Sequence, residues 1–370
     1  MTHMFAAIGI GPFDTAWLAE ALILTTPILL AAMGELISER AGVLNVGLEG
    51  FMLAGAFFSY LMAWKAHSLF VGVVCGIAAG MLFAVVMGLL TIEAKADQIV
   101  SGVGINLAAT GLTSYLFDEI FGNQAQIVVP IIGDIKIPVL SSIPDFGPAL
   151  FKNDWTLYLA FLLVPITWFL LFRTKWGLAI RASGELPSGA DTAGISVRRV
   201  RWFGVLTAGA LAGLAGANLA IVQVGIFHQE MTAGRGFLAL VAVIFGRWKP
   251  VGVMGACLAL GGADALELRL ADQNQVPTQV WGVVAGIAAA LAIYYVLRSR
   301  QRRPRKVAIL LSSMVALSGV VLVFAAPHVD LPDQLWRSLP FLLALIVLAG
   351  AVSRAHMPSK LTLPYTRGED

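Results

Sequence analysis

The polar residues able to do chemistry in this chain are few, and they lie inside or beside apolar runs. In Asn45-Val46-Gly47-Leu48-Glu49-Gly50, two glycines and an amide side chain interrupt an apolar stretch. Such an interruption favours a broken helix that turns backbone dipoles toward a cavity. Glu49 is then a candidate carboxylate within the hydrocarbon layer, where a charge costs about 2.5 to 3.5 kcal/mol at a helix centre and needs pairing or function to persist. Its alternative is a place at the cytoplasmic end of the span. The block Thr232-Ala233-Gly234-Arg235-Gly236 precedes a short apolar run in the second half of the chain. Paired interruptions in two halves point to an inverted repeat with a site between them. Asn106, Thr110 and Thr113 follow at i, i+4 and i+7 and share one helix face. With Asn45, Glu49 and Asn218, Asn106 and Thr110 form the expected pathway wall, poor in charge and rich in hydrogen-bonding groups. For the threonines and Asn218, hydrogen bonds between helices, worth about 0.6 kcal/mol each, are the competing account.

Other chemistries lack their residues. The chain has no G-x-x-x-x-G-K-[ST] phosphate loop, so any ATP that drives it is bound elsewhere. It has no HExxH, no GxSxG and no Cys/His metal spacing, and its five histidines lie in expected loops or near the termini. Cys75 and Cys257 lie far apart in apolar runs, as packing residues do. No cofactor, metal or enzymatic activity is expected. The segment Gly177 to Arg201, GLAIRASGELPSGADTAGISVRRVR, does carry a recognisable element. Pro187 can open a short helix and Gly194 can close it, with basic residues on both sides. A compact helix on the cytoplasmic face suits docking into a groove of another protein and moving the spans as a lever. An ordinary basic loop is the alternative.

The elements that must position these residues are membrane spans. With 58% hydrophobic and 13% charged residues and a mean hydropathy of +0.82, the chain is too apolar for a water-soluble fold. Apolar runs occupy roughly 16 to 34, 44 to 63, 69 to 90, 103 to 120, 155 to 172, 202 to 222, 251 to 266, 279 to 297, 307 to 325 and 339 to 352, with a short one at 237 to 246. Runs of that length cross a hydrocarbon core of about 30 Å as helices, which alone satisfy their own backbone in lipid. The fold class is therefore all-α, a polytopic bundle of 10 to 11 spans read as a single transmembrane domain over residues 1–370. With the N-terminus outside and every run crossing, 19 of the 25 Lys and Arg residues fall in inside segments and 6 outside, in keeping with the positive-inside rule. The short run at 237 to 246 is the weak point of that count, since a re-entrant path would invert every later span. The net charge of +3 is spread between runs and offers no groove for nucleic acid. Gly72, Gly76, Gly80, Ala84 and Gly88 on one span, and Gly209, Ala212, Gly213, Gly216 and Ala220 on another, predict close helix packing. The outer segment 121 to 154 reads as an ordered extended lid.

Several blocks resemble one family. RASGELPSGADTAGI is similar to the cytoplasmic coupling loop of ATP-binding-cassette importer permeases of the branched-chain amino acid, simple sugar and nucleoside type. The likeness extends to ERAGVLNVGLEGFMLAGAF, DQIVSGVGINLAATGLTSYLF, TAGRGFLALVAVIFGRWKPVG and the C-terminal LPYTRGE, and it looks most like the nucleoside branch. Leu186 and Gly189 depart from the pattern. The resemblance implies that Glu185, Pro187, Ala190 and Gly194 belong to a coupling helix touching an ATPase. It also implies a multi-pass protein of the cytoplasmic membrane. The expected partners are a second homologous permease in a heterodimer, a separate ATPase subunit and an extracytoplasmic substrate-binding lipoprotein. A simple-sugar or branched-chain amino acid importer is the alternative within the class. An ion-coupled secondary transporter is the alternative outside it.

Overall fold

The computed structural model describes residues 15–273, apart from 123–126, 132, 139, 140, 142, 144 and 145, together with residues 357–366. The described residues divide between two compact units, residues 21–262 with 357–366 in the larger and residues 15–20 with 263–273 in the smaller. Eight of the eleven apolar runs fall on described residues, and all eight are helical; those at 279–297, 307–325 and 339–352 lie outside them. In chain order the helices are α1 (Thr15–Ala41), α2 (Leu48–Ala66), α3 (Leu69–Gly88), α4 (Gln98–Phe121), α5 (Phe146–Phe151), α6 (Trp155–Arg173), α7 (Lys175–Glu185), α8 (Pro187–Thr192), α9 (Val197–Ala217), α10 (Arg235–Phe245) and α11 (Pro250–Gln273). Six of the described helical segments are long and apolar enough to cross a membrane. Among the described residues the only strands are β1 (Ile135–Lys136) and β2 (Lys152–Asn153), two residues each, paired antiparallel in the outer segment. That segment also holds α5, a helical turn within what the sequence read as an extended lid.

Local chemistry sets the helix boundaries. Asp97 caps α4, its Oδ1 accepting from the Ile99 and Val100 amides at 2.9 Å each. Asp154 caps α6 by accepting from the Thr156 and Leu157 amides at 2.8 and 3.0 Å, and Thr174 caps α7 through the Gly177 amide at 2.9 Å. α8 starts on Pro187 and closes where Gly194 turns left-handed at φ 83, as the Pro and Gly signals predicted. α3 and α9 each run on into a π-helical segment, Leu89–Glu93 and Asn218–Val224, the second ending on Gly225 at φ 77.

The core of the larger unit is a seam of three helices without intervening side chains. A Cβ at Gly80 would strike the backbone of Gly209 and Gly213; one at Gly76 would strike the Gly55 carbonyl, and one at Gly216 the Met52 carbonyl. Thus α2, α3 and α9 touch backbone to backbone, as the small-residue stripes predicted. α1 is almost wholly buried and packs Gly34 on the Ala208 backbone of α9. The outward faces of α3, α4 and α6 carry Phe70, Leu82, Leu107 and Phe169, each more than half exposed, as a lipid-facing surface requires. In the smaller unit, Arg269 pairs with Glu20 at 3.2 Å. Overpacking a close-packed core costs about 1 to 3 kcal/mol, and at a backbone contact no side chain can yield. Gly213→Val is therefore expected to remove most of the monodisperse protein seen by fluorescence-detected size exclusion. Val at the exposed Gly104, where a Cβ meets open space, is expected to leave it unchanged.

Candidate functional site

The two interrupted blocks meet. Gly47, the residue before α2, sets Glu49 in the first turn of that helix. The Glu49 carboxylate reaches the start of α10, where Oε1 accepts from the Gly234 amide at 2.8 Å and Oε2 from the Gly236 amide at 2.7 Å. A carboxylate on a helix N-terminus satisfies orphan N–H groups and complements the helix dipole. Gly234 is left-handed at φ 81, and a Cβ on Gly236 would collide with the Glu49 backbone, so neither position admits a larger residue without strain.

Asn106 of α4 holds the other side of the same block. Its Oδ1 accepts from the Gly50 amide at 2.8 Å, and its Nδ2 donates to the Val46 carbonyl at 2.9 Å. Lower on α4, Gln98 accepts from the Leu44 amide at 2.8 Å. Eight residues at 1.5 Å of rise put Asn106, and with it the Glu49 block, about 12 Å along the helix from Gln98. Glu49 itself is half-buried. Thr110 lies half-buried one turn further on, and Thr113 is buried, its hydroxyl donating to the Ala109 carbonyl at 2.8 Å. Gly104 and Gly111 on the same helix face open space.

Asn45 is fully buried behind this cradle. Its amide N–H donates to Glu35 Oε1 at 2.8 Å, and its Nδ2 donates to Glu35 Oε2 at 2.9 Å and to Ser38 Oγ at 2.8 Å. One turn along α1, the fully buried Glu39 accepts from the Trp248 indole N–H. The helix break therefore falls at residues 42–47, before α2, and Asn45 anchors it to α1. Asn218, also fully buried, opens the π-helical segment, donating to the Thr156 hydroxyl at 2.6 Å and accepting from Gln223 at 2.8 Å. Asn218 and Asn45 do not share a cradle with Asn106 and Glu49.

The connecting segments gather at the two ends of the larger unit. At one end the Arg40 guanidinium donates to the Trp248 carbonyl at 3.1 and 2.6 Å, Ser183 donates to the Ala41 carbonyl at 3.3 Å, and Arg198 pairs with Glu93 at 2.7 Å. All of these belong to segments counted as inside. At the other, Tyr60 donates to the Ile127 carbonyl at 2.7 Å, the Val129 amide to the Gly225 carbonyl at 2.9 Å, and Gln229 to Asp118 at 2.9 Å. The stretch from Gly225 to Trp248 joins the two ends. Its first part descends as turns to the Glu49 level, and α10, eleven residues and about 16 Å long, completes the passage. The short run is the eleven-residue helix α10.

Two comparisons with known proteins bear on this architecture. Residues 17–292 match the family described as branched-chain amino acid transport system, permease component. The chain belongs to that permease family. Over 356 residues the permease is 32% identical to the guanosine ABC transporter permease protein NupQ of Bacillus subtilis, covering 94% of this chain and 95% of that one. It is 39% identical over 251 residues to the nucleoside ABC transporter permease protein NupC of Lactococcus lactis, covering 66% and 79% of the two chains. It is 41% identical over 248 residues to the putative glucose ABC transporter permease protein TsgC13 of Haloferax volcanii, covering 66% and 74%. No solved structure matches it. The permease is a multi-pass integral protein of the cytoplasmic membrane.

The segment around α8 carries the four residues expected to couple to an ATPase. Pro187 and Ala190 are buried, Ala190 at 3% exposure, and face the bundle. Gly194 is exposed. Glu185 is exposed too, but its Oε2 accepts from the Ser359 amide at 3.1 Å and the Ser359 hydroxyl at 2.9 Å. Leu186, which departs from the family pattern, is a leucine 57% exposed immediately before α8. Glu35 and Glu39 were missed because the first apolar run was ended at residue 34, whereas α1 continues to Ala41.

Proposed function

We propose that this chain, working as a single permease domain, is a transport subunit of an ABC importer that carries nucleosides inward, with ATP hydrolysed by a separate ATPase subunit docked on α8. The observation that carries the reading is the near end-to-end likeness to a permease named for guanosine. The cradle is consistent with an uncharged solute: Asn106 and Thr110 are half-buried hydrogen-bonding residues, and the nearby Glu49 carboxylate is occupied by backbone amides. In this reading Asn106 and Thr110 line the path. Glu49 and Asn45 hold its shape, and Asn218 supports the outer half through Thr156. A second homologous permease would complete the pathway as a heterodimer, and an extracytoplasmic lipoprotein would deliver substrate.

A sugar-importing reading has its own support in the likeness to a putative glucose permease. Cells expressing the permease with its genomic partners decide between them. Labelled guanosine is expected to accumulate in an ATP-dependent way, with little competition from a hundredfold excess of ribose or glucose. Accumulation of labelled sugar, unaffected by nucleoside, would replace the nucleoside reading with the sugar one. Uptake that persists after the ATPase gene is removed would end both.

A further inference from the structure

Residues 357–366 return to the coupling face after the long C-terminal stretch, and they make contact there at four places. The Ser359 amide and hydroxyl both donate to Glu185, at the end of α7. The Lys360 amide donates to the Gly184 carbonyl at 3.0 Å. The Leu363 carbonyl accepts from Nη1 of Arg201, in the first turns of α9, at 3.0 Å. Thr366 accepts from the Lys95 ammonium, in the connection between α3 and α4, at 3.1 Å. Pro358 and Leu361 are buried, so the segment is seated and not merely draped. Arg201 is 2% exposed, and the Leu363 carbonyl is the hydrogen-bond acceptor of its guanidinium among the described residues.

These contacts add ties between the α7–α8 turn, α9 and the α3–α4 connection. The turn itself rests on the bundle through buried Ser183 on the Ala41 carbonyl, Gly184 against the Arg40 carbonyl, Pro187 and Ala190. An unbraced turn would flex when α8 is pushed, and the displacement would be absorbed locally. We infer that residues 357–366 form a clamp that fixes the α7–α8 turn to α9 and to the α3–α4 connection, so that motion imposed on α8 reaches the spans. Ser359, Leu363 and Thr366 act as positioning residues for transport. The inference rests on the reading of α8 as the ATPase-facing element.

The test uses the full complex in proteoliposomes, with labelled guanosine as probe and both uptake and ATP hydrolysis measured. Ending the chain after His356 is expected to leave the ATPase bound and hydrolysing within about twofold of the full chain, while uptake per ATP falls at least tenfold. A milder variant, Ser359→Ala with Thr366→Ala, keeps the buried Leu361 and the Leu363 carbonyl, and is expected to lower uptake per ATP severalfold with unchanged protein yield. Unchanged uptake per ATP in the milder variant overturns the clamp, whether or not the truncated chain folds. Loss of the ATPase from an otherwise intact truncated complex also overturns it, by making the segment a docking surface. A gain in uptake overturns it by making the segment a brake. If the full-length complex purifies without an ATPase, the reading of α8 fails first, and that outcome is distinct from all of these.

Discussion

Replacing Glu49 with leucine is expected to abolish uptake, by about a hundredfold or more, while the protein still inserts. The carboxylate accepts from two amides at the start of α10, and leucine offers neither bond. A hydrogen bond to a charged group contributes about 1.5 to 3 kcal/mol, and a buried amide left without a partner costs a similar amount. Two such losses far exceed the 1.4 kcal/mol that makes a tenfold change in a conformational equilibrium. α10 would detach from the cradle, and Asn106 would hold only its own side. Glu49→Gln keeps one acceptor oxygen and is expected to fall between the two, retaining a few per cent of uptake. Cysteine accessibility at Gly234 and Gly236 neighbours, compared between the wild type and the leucine variant, should rise together with the loss of uptake. Equal uptake by all three proteins would show that the cap has no part in transport.

The second large effect is expected at Leu186. Its side chain is 57% exposed beside α8 at the end that carries the basic residues, out of reach of lipid tails in the proposed topology. In the proposed reading that leucine packs against the docked ATPase. Burying a leucine against a partner contributes about 1.5 to 3 kcal/mol, and an aspartate in the same apolar contact adds a desolvation cost. Leu186→Asp is expected to reduce copurified ATPase at least tenfold with normal permease yield, and Leu186→Met to retain most of it. Ala190 makes the contrast: it is buried, so Ala190→Asp should lower permease yield itself. If Leu186→Asp retains both ATPase and uptake, the docking surface lies elsewhere.

The helices were legible because lipid forces each span to be a long apolar run, and the caps at Asp97 and Asp154 are local signals. The seam of α2, α3 and α9 was legible too, since a glycine every fourth residue has one geometric use. Both interruptions of the cradle could be read, but not their contact. Glu49 and Gly236 are 187 positions apart, and no periodicity within either segment encodes the other. The short run at 237–246 was ambiguous for a physical reason, because an eleven-residue helix is too short for an ordinary span and length alone does not tell a re-entrant turn from a half-helix preceded by turns. The short helix between Pro187 and Gly194 was legible, but which of its sides faces the bundle was not. A six-residue helix has less than two turns, which is too short for an amphipathic pattern to show which side is inward. The seat of the C-terminal segment was hidden because its bonds are mostly made by backbone groups, which every sequence possesses.

The glycine seam also constrains how such a protein can change shape. Where side chains interleave, one helix can slip along another by exchanging rotamers. Backbones in direct contact have no such lubricating layer. α2, α3 and α9 are therefore expected to travel as one block, and access to the cradle must alternate by tilting that block against its surroundings, with α10 as the movable wedge at its edge.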